Sequence, residues 1–130
     1  MYSVIRFAGP EIHFDELGAL LNATKPGMYT GVDKVEDRFS CTLSNEANID
    51  AHLQQIEVTI RAIAPTLERA LLLAIKLEID IAIERGDYLS RWLTVINCSA
   101  LLIGLLATFE IGLVLSVYGD GDSAEPTPRS

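Results

Sequence analysis

Residues 77–84, LEIDIAIE, alternate between aliphatic and mainly acidic side chains without a break. In an extended chain, one face would carry Leu77, Ile79, Ile81 and Ile83. The opposite face would carry Glu78, Asp80, Ala82 and Glu84. A sheet with one packed face and one hydrated face imposes this period of two, whereas a strand buried on both faces does not. The chain must therefore fold around a sheet that a second layer covers on one side.

Three further strands are predicted over residues 2–8, 37–43 and 111–118, with a shorter extended piece at 93–96. Side chains at alternate positions of the first two are expected to face the core, namely Ser3, Ile5, Phe7, Phe39, Cys41 and Leu43. Glu110 separates the last strand from the apolar segment before it. These strands give the sheet four or five members.

Helical spacing predicts helices over 14–22, from 49 to Pro65, from 66 to about 75, and over about 99–109. The first is expected to bury Leu17, Leu20 and Leu21. The second is the clearest, because Asn48 can cap it and aliphatic residues recur every three or four positions. Those residues are Ile49, Leu53, Ile56, Ile60 and Ile63.

The stretch 23–36 shows no sustained period and contains Pro26, Gly27 and Gly31, so it is predicted to be the longest internal loop. The order of elements predicts an α+β fold, a two-layer ferredoxin-like sandwich. Its largely antiparallel sheet would have helices on one face and an extra helical connection in the middle. Residues 1–118 are expected to form one domain. Residues 119–130, GDGDSAEPTPRS, are expected to be a disordered tail.

The charge balance constrains the partners of this chain. Eighteen acidic and 10 basic residues give a formal net charge of −8. Such a surface repels nucleic-acid phosphates and attracts basic proteins. No cofactor and no metal site is expected, because His13 and His52 lack further ligands at metal-binding spacing and no phosphate-binding glycine motif occurs. His52 is expected at the boundary between core and solvent.

The uncharged run from Trp92 to Phe109 is about as long as the shortest membrane-spanning helix. A strand-like start and the helix caps Asn97 and Ser99 favour a buried helix instead. The amino-terminal segment lacks the features of a signal peptide, and Cys41 and Cys98 form no disulfide pattern. These features favour a cytoplasmic protein that is not inserted in a membrane, with a membrane-attached protein as the alternative.

Three segments resemble a family of short bacterial proteins, the domain of unknown function 4279. They are VIRFAGPEIHFDELGALLNATKPG, SNEANIDAHLQQIEVTIRAIAP and SALLIGLLATFEIGLVLSVYG. The resemblance covers most of residues 2–118 and implies a soluble bacterial domain without an assigned activity. By analogy with many short families of this kind, it also implies an immunity protein encoded beside a toxin.

The candidate functional surface is the polar face of the sheet. Its proposed partner-binding residues are Arg6, Glu78, Asp80, Glu84 and Tyr118. Closely spaced carboxylates on this face could bind a basic partner, act as an acid and base, hold a cation, or serve as a solvated face. The sequence favours a non-catalytic interaction module, for example an immunity protein that neutralises a basic toxin.

Two further expectations stand beside the interaction module. The alternative function is a small-ligand or enzymatic domain, with its pocket between the sheet and the 23–36 loop. High apolar content and open sheet edges also favour a homodimer.

Overall fold

A computed structural model describes residues 1–32, 37–84 and 98–118. The strands are β1 (Tyr2–Ala8), β2 (Arg38–Ser44), β3 (Lys76–Glu84) and β4 (Ile111–Tyr118). The helices are α1 (Phe14–Thr24), α2 (Ile49–Ala62), α3 (Ala64–Leu72) and α4 (Ala100–Thr108), with a 3-10 turn at Glu11–His13 before α1. The extended piece predicted at 93–96 and the tail predicted at 119–130 lie outside the described residues.

The four strands form one mixed sheet in the order β2-β1-β3-β4. Strand β1 pairs antiparallel with β2 and β3, and β3 pairs parallel with β4. The predicted two-layer α+β sandwich is confirmed. The β3–α4–β4 unit at the edge of this sheet differs from the split β-α-β unit of a ferredoxin-like fold. In the split unit, a third strand lies between the two parallel strands. Here β4 lies directly beside β3, and α4 precedes β4 in the connection between them.

The helices cover the face of the sheet that the alternation predicts. Side chains at the centre of this core are fully buried, among them Ile5, Phe7, Phe39, Ile56, Ile60 and Ile79. The prediction that α1 buries Leu20 is wrong, because Leu20 is 37% exposed whereas Leu17 and Leu21 are buried. With 3.6 residues per turn, Leu20 lies about 100° around the α1 axis from the centre of the buried stripe.

Gly18 lies in the middle of α1 because the ring of Tyr29 packs against it. A Cβ atom at Gly18 would overlap that ring. Asn22, one turn later on α1, fixes the backbone of the same residue: its Oδ1 accepts from Tyr29 N at 2.8 Å and its Nδ2 donates to Tyr29 O at 3.3 Å. The start of the predicted 23–36 loop is therefore folded back onto α1.

The helix ends follow the capping residues in the sequence. Asn48 Oδ1 accepts from Ala51 N at 3.0 Å at the start of α2, and Ser99 Oγ accepts from Leu102 N at 3.0 Å at the start of α4. Pro65 lies in the first turn of α3, where its missing N–H costs nothing. Helix α3 ends at Leu72, before the predicted position 75.

Replacing Glu110 by glycine is expected to raise the free energy of unfolding by about 0.5–1 kcal/mol. Glu110 follows α4 with a φ of 52°, a left-handed conformation that a side chain disfavours. Equilibrium urea denaturation measures the gain. The control is Glu110→Ala, which removes the carboxylate but keeps Cβ, and an equal gain in both variants would contradict the backbone explanation.

Candidate functional site

The polar face of the sheet places Arg6 at its centre. Arg6 on β1 lies opposite Ser40 of β2 on one side and Glu78 of β3 on the other. Two residues earlier on β1, Val4 lies opposite Asp80 of β3. Because cross-strand neighbours share a face, the side chains of Arg6, Glu78 and Asp80 are brought within reach of one another.

Arg6 bridges both carboxylates. Its Nη1 lies 3.3 Å from Glu78 Oε1 and its Nη2 lies 3.0 Å from Asp80 Oδ2. Ser116 of β4 donates to the other oxygen, Asp80 Oδ1, at 2.9 Å. We call these four residues the Arg6 network. It ties β1, β3 and β4 together on the face opposite the helices.

The two carboxylates of the network differ in their exposure to solvent. Asp80 is 6% exposed, so the expectation that this whole face is hydrated is wrong at that residue and at Ala82, which is 8% exposed. The Glu78 side chain remains 47% exposed. Asp80 is buried in spite of its charge because Arg6 and Ser116 satisfy both of its oxygens. It cannot itself offer a contact to a partner, whereas Glu78 can.

The guanidinium of Arg6 stays charged in this setting. Partial burial acts to lower the pKa of Arg6, but hydrogen bonds and charges from Asp80 and Glu78 outweigh it, so the pKa is raised above its ordinary value. One cation therefore faces two carboxylates. Of these two carboxylates, Glu78 is the one that is exposed to solvent.

The other two predicted site residues are located by their backbones. Glu84 of β3 and Tyr118 of β4 are partners in the parallel ladder, at the end farthest from Glu78. Their side chains lie outside the described part of the structure. Of the five residues predicted for this surface, the structure brings Arg6, Glu78 and Asp80 into contact.

An open pocket of about 250 Å³ lies where the folded-back loop meets β2. Its lining includes one basic residue and three residues that carry hydroxyl groups; the full set is Lys25, Pro26, Gly27, Met28, Thr30, Ser40 and Thr42. Ser40 pairs with Arg6 in the sheet, so the pocket borders the Arg6 network. The alternative function predicted from the sequence requires a pocket between the sheet and the 23–36 loop, and this pocket lies at that position.

His52 is fully buried, and the expectation that it lies at the boundary between core and solvent is wrong. Its Nδ1 lies 2.8 Å from the Glu46 carbonyl oxygen, which can only accept, so Nδ1 carries the proton. The unprotonated Nε2 then accepts from Ser3 Oγ at 2.9 Å. Ser44 Oγ also lies 3.1 Å from Nδ1.

Ser44 faces inward because β2 is irregular at this point. The register shifts between Ser3, which pairs with Ser44, and Val4, which pairs with Thr42. The extra residue, Leu43, is buried together with Ser44, so two successive residues face the core. A bulge of this kind leaves no signal in the alternation of β2, and sequence reasoning therefore missed the polar cluster around His52.

The Ser3–His52 hydrogen bond has the spacing of a nucleophile and its general base. Both side chains are 0% exposed, so no substrate can reach the serine oxygen in this structure. The cluster is instead a structural link between β1, β2 and α2. Within the described residues, no group of three or more His, Cys, Asp or Glu side chains could hold a metal ion.

Acidification is expected to destabilise the fold through His52. Burial lowers its pKa below the ordinary 6.5, against a smaller raising effect of the hydrogen bond to Glu46. Below about pH 6.5 the unfolded chain therefore binds a proton at His52 that the folded chain does not bind. The contribution of His52 to the free energy of unfolding is fully present above about pH 6.5. It decreases as the pH falls below that value, by at most about 1.4 kcal/mol per pH unit.

Urea denaturation between about pH 7.5 and pH 5.5 measures this dependence. His52→Gln should flatten the curve, whereas His13→Gln, on the 3-10 turn, should retain the wild-type slope. A wild-type slope in His52→Gln would show that other groups cause the pH dependence.

Comparison with known proteins leaves the function open: the chain matches no family model, no curated protein and no solved structure. The resemblance to the domain of unknown function 4279 therefore stays a prediction. Among the described residues, no helix is both long enough and apolar enough to cross a membrane. The segment 100–118 consists of α4, a turn at residues 109 and 110, and β4.

Proposed function

We propose that the chain is a protein-interaction module that binds a basic partner, in the manner of an immunity protein that neutralises a basic toxin. The observation that supports this most is the half-exposed carboxylate of Glu78, which Arg6 holds on the polar face of the sheet. Arg6 fixes the orientation of that carboxylate, so a lysine or arginine of the partner would meet a preorganised group. The net charge of −8 would speed the approach of such a partner.

The test uses candidate basic toxins encoded beside the gene for this chain, each as an inactive variant. Surface plasmon resonance should show an association rate that falls as the salt concentration rises. Glu78→Gln should slow association several-fold at low salt. The matched control is Glu68→Gln on α3, which removes the same charge from an exposed position on the helical layer. Equal rates for the two variants would exclude Glu78 as the contact.

A second candidate function is the binding of a small anion in the pocket beside β2. The supporting observation is its lining, which includes one basic residue, Lys25, and three residues that carry hydroxyl groups, Thr30, Ser40 and Thr42. Such groups suit a carboxylate or a phosphate. Phosphate and citrate should raise the melting temperature of the wild type. Lys25→Met should abolish that shift, whereas Lys76→Met should keep it. No shift in the wild type would remove this candidate.

A further inference from the structure

Among the described residues, strand β4 forms one edge of the sheet, and its own sequence carries none of the usual protection against pairing. It is last in the sheet order, and its register with β3 runs from Ile111 to Tyr118 without a shift. Its sequence, IGLVLSVY, contains no charged residue and no proline. Natural edge strands are commonly protected by lysine, proline, a bulge or short length. β4 has eight residues and none of these.

The side chains of β4 that face the helical layer are poorly covered. Leu113, Leu115 and Val117 are 43%, 51% and 55% exposed. They pair with Ile79, Ile81 and Ile83 of β3, which are at most 5% exposed. Paired residues of a parallel ladder point to the same face. The described part of the helical layer therefore covers Ile111 at the start of β4, which is 7% exposed, and leaves the three later residues about half exposed.

Helix α4 contacts β4, and it contains no charged residue. We define the β4–α4 surface by Leu113, Leu115 and Val117 of β4 together with the uncharged helix α4 beside them. Exposed apolar side chains on neighbouring uncharged elements are typical of an interaction site.

We propose that a second copy of this chain covers the β4–α4 surface, by antiparallel pairing of the two β4 strands across a twofold axis into an eight-stranded sheet. Such an interface brings each patch against itself, so it must be self-complementary. An uncharged apolar strand meets that condition. A basic partner would find no carboxylate on β4 or α4 with which to pair.

Charge also favours this edge over the opposite one. Two copies of a chain with a net charge of −8 repel each other, and the repulsion is smallest where the facing segments carry no charge. Each of β1, β2 and β3 contains at least one charged residue, whereas β4 has none. At the other edge, the core-facing residues Phe39, Cys41 and Leu43 of β2 are already buried.

Sedimentation equilibrium over a range of concentrations tests the proposal. The wild type should reach twice the chain mass of 14.2 kDa. Leu115→Lys should raise the dimer dissociation constant at least tenfold, because it places a charge in the pairing surface. The matched control is Val58→Lys on α2, a residue 53% exposed, which should dimerise like the wild type. Melting curves show whether each variant is folded.

Hydrogen exchange gives a readout on the wild type alone. Amides of residues 111–118 should become more protected as the protein concentration rises, while those of β2 should not change. A wild type that stays monomeric overturns the proposal, as does a Leu115→Lys variant that dimerises like the wild type. Assemblies that grow beyond two copies also overturn it, because antiparallel pairing closes.

The proposal stands apart from the basic-partner function. Glu78→Gln should leave the dimer intact, since Glu78 lies on the polar face of β3. Leu115→Lys should retain binding of a basic partner at each protomer.

Discussion

Replacing Phe39 by alanine is expected to lower the free energy of unfolding by about 3–5 kcal/mol. Phe39 is 0% exposed and lies at the centre of an aromatic cluster. Its ring stacks on Phe7 at 4.6 Å between centroids, and it meets Phe14 and Tyr29 edge to face at 4.9 and 4.8 Å. Truncation therefore removes contacts to β1, to α1 and to the folded-back loop at once.

Three aromatic pairs are lost together, and each adds about 0.5–1.5 kcal/mol beyond the burial of its area, so the upper end of the range is expected. Equilibrium urea denaturation measures the loss. Leu72→Ala is the control, because Leu72 is 79% exposed and its truncation should change stability by less than about 0.5 kcal/mol. A loss below about 2 kcal/mol for Phe39→Ala would mean that the cluster collapses into the cavity.

Replacing Asp80 by alanine is expected to lower the free energy of unfolding by about 2–3 kcal/mol. Breaking a fully buried ion pair costs about 3–5 kcal/mol. The loss is smaller here because the Arg6 side chain is 23% exposed and keeps its contact with Glu78. The variant leaves the guanidinium without its closer partner, at 3.0 Å, and leaves the Ser116 hydroxyl without its acceptor. Glu78→Ala should cost less than about 1 kcal/mol, since the Glu78 side chain is 47% exposed.

The two carboxylates thus make a matched pair on one strand face, with the same cation between them. Urea denaturation at low and high salt should distinguish the effects of the two substitutions on the free energy of unfolding. The loss in Asp80→Ala should persist at high salt because the pair is shielded from solvent ions, and the small loss in Glu78→Ala should shrink. Equal losses in the two variants would contradict the division into one buried and one exposed carboxylate.

The alternation of residues 77–84 was sufficient to predict which side of β3 packs against the helices. It could not predict that Asp80 is buried, because a period of two assigns a residue to a face and says nothing of what covers that face. The cover comes from Arg6 and Ser116, on two neighbouring strands. Placing them requires strand order and register, which depend on contacts between distant parts of the sequence.

His52 illustrates a second limit. The spacing on α2 places it beside Leu53, and helical periodicity alone makes that a boundary position. Its actual burial depends on the bulge at Leu43, which turns Ser44 inward to meet the imidazole. The parallel pairing of β4 with β3 was likewise beyond the local pattern, because an apolar strand of this length suits either direction.

The position of β1 has a consequence for the order in which the chain can fold during its synthesis. β1 lies inside the sheet, yet its partner on one side, β3, ends at Glu84. A ribosome that adds about 5–20 residues per second needs roughly 4–15 seconds to proceed from the first strand to the third. During that interval the backbone N–H and C=O groups of β1 can pair with β2 alone. Nascent chains paused before β3 should therefore bind chaperones, and chains released after it should not.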